Sequence, residues 1–255
     1  MMKSNGMQVK AQKAGILLLS LMLTAMSGCG NPTTVDSEVV DTRRIWAGVR
    51  YQARGNGVTR VNVELNEGSS SGNNLSLSAN ERLEVNANGT IIRLQEDQDL
   101  LDVDYEGTIP TDASSTPLVL TLFRADGSIV NGTRVDLPTT LDITSPENNQ
   151  SMTVGDVVSL EWTPAIGGTI ELATVTQCSG TTRADFRDIS DTGALTIDTG
   201  TLPGVLDPAV DRNQGCRLII DLTRERRGTL DPQFRGGGFV VATQTRSVEA
   251  TLSFP

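Results

Sequence analysis

Carboxylates are the one chemically versatile side-chain class that this chain carries in quantity: 31 Asp and Glu against no His, with Lys confined to positions 3, 10 and 13. Without imidazole, Ser-His-Asp and Cys-His nucleophilic systems are excluded, as are zinc sites built on histidine. If the N-terminal segment is removed, Ser-Lys dyads and Schiff-base lysines go with it. What survives is carboxylate chemistry such as glycoside hydrolysis, which needs two acids facing each other across a cleft. No spacing in the sequence selects such a pair, so no catalytic residue and no cofactor is assigned.

The densest acidic stretch runs from Glu96 to Glu106, with six carboxylates in eleven residues. Calcium takes six to eight oxygens, and Asp99, Asp102 and Asp104 are the residues that would offer them. The preferred reading is a solvated loop whose Leu100, Leu101, Val103 and Tyr105 dip into a core, with no metal bound. Asp102 to Tyr105 also suits a tyrosine corner, in which the phenol bonds nearby backbone. The segment Asp211 to Gly215 is set aside as a calcium loop, because its glycine comes one position early and the distal Glu is missing. Arg224, Arg226, Arg227 and Arg235 form a basic patch that could meet a phosphate or carboxylate. They are read instead as exposed strand-end arginines that discourage edge pairing. Trp46 and Trp162 fall at strand positions and are read as core, not as a sugar-stacking platform.

These side chains must be placed by elements whose compartment is set at the N-terminus. Lys3, Lys10 and Lys13 precede an apolar run from Ala14 to Ala25, too short for the roughly twenty residues that a spanning helix needs. That is the layout of a secretory signal. Met26-Ser27-Gly28-Cys29 resembles the lipobox of bacterial lipoproteins. The resemblance implies a signal peptide over residues 1–28, diacylglycerol on Cys29 and cleavage before it, and Gly30 after the cysteine leans toward the outer membrane. More than one acyl chain would hold the protein at a membrane stably.

Removing residues 1–28 takes three of the 21 basic residues and leaves 18 arginines against 31 carboxylates, which argues against nucleic acid as a partner. Cys178 and Cys216 then remain in an oxidising setting and most simply form a disulfide. It closes a loop of about 39 residues, worth roughly 4 kcal/mol in the chain-entropy model. A thiol nucleophile or metal pair is the alternative, without a CxxC spacing or a histidine to support it.

Residues 29–41 are polar and read as a lipidated tether. Over residues 42–138 the dominant signal is two-residue alternation: Ile45, Ala47, Val49, Tyr51 and Ala53; Val61, Val63 and Leu65; Leu83 and Val85. Asp126-Gly127 between apolar runs is a hairpin signal. Several short strands at this spacing predict a β-sandwich. A second unit is expected over residues 139–255. Its opening, Leu141 to Trp162, with a strand, Ser145-Pro146, a turn, Val154-Gly155 and a strand ending in Trp, resembles Ig-like and fibronectin-like modules of secreted proteins. It differs from antibody domains in that Trp162 precedes both cysteines. Residues 193–215 read as a long loop tied down by Cys216.

The sequence therefore predicts an all-β protein of two tandem Ig-like antiparallel sandwiches, anchored by Cys29 at the outer membrane. Its expected role is a non-catalytic binding or structural module, with an envelope protein or glycan as partner and the partner-binding residues undefined. The competing readings are a carboxylate-dependent hydrolase of envelope polysaccharide and a calcium-stiffened adhesin or spacer.

Overall fold

A computed structural model describes residues 33–98 and 102–255. Cys29 and Asp99 lie outside these residues. The chain is all-β, as the alternation predicts. The strands are β1 (Thr34–Asp36), β2 (Ile45–Ala53), β3 (Thr59–Glu67), β4 (Asn74–Ser76), β5 (Arg82–Ala87), β6 (Thr90–Arg93), β7 (Gln95–Gln98), β8 (Val103–Ile109), β9 (Pro117–Phe123) and β10 (Ile129–Asp136). They continue with β11 (Asp142–Ser145), β12 (Gln150–Thr153), β13 (Val157–Thr163), β14 (Thr169–Cys178), β15 (Thr181–Ser190), β16 (Ala194–Asp198), β17 (Cys216–Arg227) and β18 (Gly238–Ser253).

Two sandwich cores share one large sheet. In the first, β8, β3, β2 and the start of β18 face the smaller sheet β10-β9-β5-β6 across Val49, Tyr51, Val63, Leu83, Leu120 and their neighbours. In the second, the end of β18 with β17 and β14 faces β11-β13-β16 across Leu160, Trp162, Leu172, Ile197 and Leu218. The alternation works because successive strand residues point to opposite faces, and each core takes every second one.

β18 is the element the sequence foreshadows least. Only its last part, Val248 to Phe254, reads as a strand, yet it runs for 16 residues. Its first half lies parallel to β2, with Gly238 opposite Ala47 and Gln244 opposite Ala53. Its last residues, Ala250 to Ser253, lie parallel to β12. Antiparallel β17 pairs with nearly all of it, from Cys216 opposite Leu252 to Arg227 opposite Val241. Consequently Phe234, Val240 and Ala242, expected in the second unit, are buried in the first core, whereas Val248, Ala250 and Leu252 are buried in the second.

The tether reading also needs correction from Thr34 onward. β1 pairs in parallel with β4, Val40 joins the first core, and Ser37 is fully buried. The cause is Arg124, which follows β9 and donates from Nη2 to the carbonyls of Ser37 (2.8 Å) and Val40 (2.7 Å). Its Nε lies 3.2 Å from Oε1 of buried Glu81, whose other oxygen accepts from Ser37 Oγ.

A second buried ion pair closes the junction between the cores. Arg224 binds Asp191 through two bonds, Nε to Oδ2 at 2.8 Å and Nη2 to Oδ1 at 3.0 Å. Its Nη1 donates to Thr140 O at 3.0 Å, and its Nη2 to Pro164 O. Trp162 Nε1 donates to the same carboxylate at 2.7 Å. Both charged side chains are almost completely buried. Arg224 is thus not part of an exposed basic patch. It shares the inward parity of Leu218, Ile220 and Leu222, and its charge is satisfied there.

Cys178, ending β14, and Cys216, opening β17, form the expected disulfide. Reduction should lower the unfolding free energy by about 4 kcal/mol, read as a shift in urea midpoint with and without reductant. Arg224→Met alone should cost about 3–5 kcal/mol, because it strands the Asp191 charge. Arg224→Met combined with Asp191→Leu should recover most of that loss in the same titration.

Candidate functional site

Parity along β2 fixes one side of the large sheet. Ile45, Ala47, Val49, Tyr51 and Ala53 are buried, so Trp46, Gly48, Arg50 and Gln52 face away from the core. The same holds for Asn62 and Glu64 on β3, Asp104 and Glu106 on β8, and Phe239 and Val241 on β18. Register then lines these residues up across five strands. Asp97 on β7 is opposite Asp104, Asp104 opposite Glu64, Glu64 opposite Gly48, and Gly48 opposite Phe239. In the adjacent outward row, Gln95, Glu106, Asn62, Arg50 and Val241 follow one another.

Gly48 makes the centre of this face. A β-carbon there would sit 2.8 Å from Trp46 Cη2 and 3.3 Å from Phe239 Cζ, so the missing side chain lets both rings lie over the strand. The rings meet edge to face, with centroids 5.8 Å apart and planes at 75°, a favoured aromatic geometry. The Arg50 guanidinium lies 4.6 Å from the Phe239 centroid, within cation–π range. Its Nη1 is 3.9 Å from Glu64 Oε2, and the other Glu64 oxygen accepts from Asn66 Nδ2 at 2.6 Å. Arg50 and Glu64 both remain partly open to water. The result is an apolar step of two rings at 75° to each other, beside a guanidinium, a carboxylate and the amides of Asn62 and Asn66.

Trp46 is therefore not a core residue as its strand position suggests, but a partly exposed one. Trp162 is buried in the second core, as expected. Sequence reasoning also missed Phe239 and Arg50. Trp46 and Arg50 carried a readable signal, since the inward set of β2 puts every even-numbered residue outside.

The described parts of the acidic run lie mostly in strands where a loop is expected, Glu96 to Gln98 in β7 and Val103 to Glu106 in β8. β7 and β8 make an antiparallel hairpin beside β3, with Val103 and Tyr105 buried. Asp104 sits in the outward row, and Asp102 immediately precedes β8. Among the described residues, no group of three Asp, Glu, Cys or His stands close enough to hold a metal ion. The Tyr105 phenol donates to Leu75 O at 2.7 Å and accepts from Leu77 N at 2.8 Å. It therefore binds backbone some thirty residues upstream, not nearby backbone as a tyrosine corner does. Burial, reinforced by the Glu96 carboxylate, pushes its pKa well above the usual phenol range.

One other concavity stands out. A shallow hollow of about 500 Å³ lies between Arg183 of β15 and the loop carrying Thr201, Leu206 and Asp207. Its one carboxylate, Asp207, lies 3.9 Å from Arg183, which leaves no second acid to face it across the hollow.

No family model and no curated protein matches this chain. Among solved structures, it is similar to the CbhA fibronectin(III)-like modules of Clostridium thermocellum at 14% identity, covering 82% of this chain and 91% of that one, with a TM-score of 0.22. It is similar to SGBP-B of the Bacteroides ovatus mixed-linkage glucan utilization locus, solved with a mixed-linkage heptasaccharide, at 13% identity, 93% and 69% coverage and a TM-score of 0.21. A cytokine receptor complex matches at 13% identity, 76% and 97% coverage and a TM-score of 0.29. These scores are low, so the fold and the site rest on the sheets and packing described above.

Gly48→Val should push the Trp46 ring off its floor and cost about 1–3 kcal/mol from overpacking. The expected sign is a shift of tryptophan emission to longer wavelength, with buried Trp162 as a constant background.

Proposed function

We propose that this chain is a non-catalytic, lipid-anchored module of the cell envelope that binds glycan on the outer sheet face around Trp46 and Phe239. The observation that carries the reading is the pair of rings held open over Gly48 with Arg50 and Glu64 beside them. A sugar ring has an apolar C–H face and an equatorial belt of hydroxyls. The first packs on an aromatic surface, and the second is satisfied by planar donors and acceptors held at fixed spacing. A flat sheet face suits a chain of sugars better than a small molecule, which needs an enclosing pocket.

The same geometry and the composition support the non-catalytic reading. The outward carboxylates share one flat face, whereas glycoside hydrolysis needs two on opposite sides of the bond. Anchoring rests on the lipobox resemblance at Cys29, and location at the outer membrane on Gly30.

Affinity electrophoresis through gels containing soluble polysaccharides tests the binding reading. Retardation of the wild type by at least one polysaccharide is expected, weakened about tenfold or more by Trp46→Ala or Phe239→Ala. No retardation by any glycan, or unchanged retardation in both variants, would overturn it. Metabolic labelling with palmitate tests the anchor separately: label should be present in the wild type and absent in Cys29→Ala.

A further inference from the structure

β15 is an edge unlike the others. It pairs with β14 on one side and ends the large sheet on the other. At ten residues it is long for a strand, and its pairing with β14 runs without a register shift from Thr169 opposite Ser190 to Cys178 opposite Thr181. The remaining edges are managed as soluble proteins manage them. β1, β6, β7, β11, β12 and β16 have three to five residues. β10 is broken by a register shift after Val130 and bridged at Arg134 by Thr229. β15 contains no Pro, Gly or Lys and no bulge, and it carries Phe186, one of the most exposed large apolar side chains, at 65%.

Its charges do not blunt it either, because they alternate in sign: Arg183, Asp185, Arg187 and Asp188. The two-residue turn Ser179-Gly180, with φ of 48° and 78°, makes Cys178 and Thr181 a hydrogen-bonded pair. Odd-numbered residues of β15 therefore bond to β14, and the even-numbered ones from Thr182 to Asp188 offer N–H and C=O to the free side, while Ser190 O accepts from Thr192 N. Asp191 continues this phase, its N–H donating to Gly168 O at 3.0 Å.

We infer that β15 is a self-association edge, pairing antiparallel with β15 of a second copy of this chain about a two-fold axis at Phe186. Charge selects the partner and the register. With Phe186 opposite its own copy, Asp185 faces Arg187 of the other chain twice, and residues 182–190 overlap in full. Moving the axis to Asp185 sets Asp185 against itself and Arg183 against Arg187, which like-charge repulsion disfavours. The chosen register places the Phe186 rings side by side on the outward face and uses the unpaired backbone groups of both edges. An edge-to-edge interface of this kind is small, so the dimer is a weak one. The inference does not depend on glycan binding, since Trp46 and Phe186 lie on different parts of the sheet.

Sedimentation velocity of the purified full chain in detergent, from about 1 to about 100 µM, tests it. A reversible monomer–dimer equilibrium is expected for the wild type. Asp185→Arg and Arg187→Asp should each weaken it about tenfold or more by setting like charges opposite, and the double swap Asp185→Arg/Arg187→Asp should restore it. All four proteins should keep the same urea midpoint, because both side chains are exposed. A wild type that stays monomeric, variants that associate like the wild type, or a double swap that fails to recover would overturn the pairing.

Discussion

The Arg224–Asp191 ion pair pins the connection between the two cores onto the second one. Each charge would be costly to bury alone, and the pair is tolerated because both remaining sets of hydrogen-bonding atoms are satisfied. The guanidinium reaches the carbonyls of Thr140 and Pro164, and the carboxylate receives Trp162 Nε1. Four separate stretches of chain are therefore fixed at one point: the connection after β10, the turn after β13, the turn before β16, and β17. Hydrophobic packing would hold each sandwich together without this contact, but packing is not directional. A bidentate ion pair is, and it fixes how the connection leaves one core and enters the next.

Arg124 does the same for the N-terminal segment, reaching over Glu81 to two backbone carbonyls. The outward face follows from a different constraint. A glycine in mid-strand costs conformational entropy and packing, yet Gly48 is what permits two rings and a guanidinium to share a patch one residue wide. Trp46 and Arg50 share β2, whereas Phe239 comes from β18, far away in sequence, and the parallel pairing of β18 with β2 brings it beside them.

Much of the fold was legible because alternation is a local property. β2, β3, β5 and the end of β18 are visible in the inward residues alone. The errors arose where residue type was allowed to outrank parity. A strand position alone suggests the core for Trp46, but its neighbours Ile45 and Ala47 already claim the inward face. Arg224 reads as an exposed strand-end arginine, but the parity of Leu218, Ile220 and Leu222 turns it inward. Other features left no local trace. Nothing near Val40 announces that Arg124 will bind its carbonyl, and nothing near Phe239 announces β2 as its neighbour. Such partners are fixed by tertiary packing, and the backbone spacing of a single strand does not encode them.

The length of β18 bears on the order in which the molecule can assemble. During synthesis β2 emerges together with one neighbour in the sheet, β3, but its other neighbour, β18, follows far later in the chain. Until then the first sandwich lacks the strand that supplies Val240 and Ala242, and the hydrophobic seam along β2 stays open. Contacts of such long sequence separation form slowly, so completion of both sandwiches waits for the sixteen-residue β18. One strand thus couples the completion of two cores that composition and alternation present as separate units.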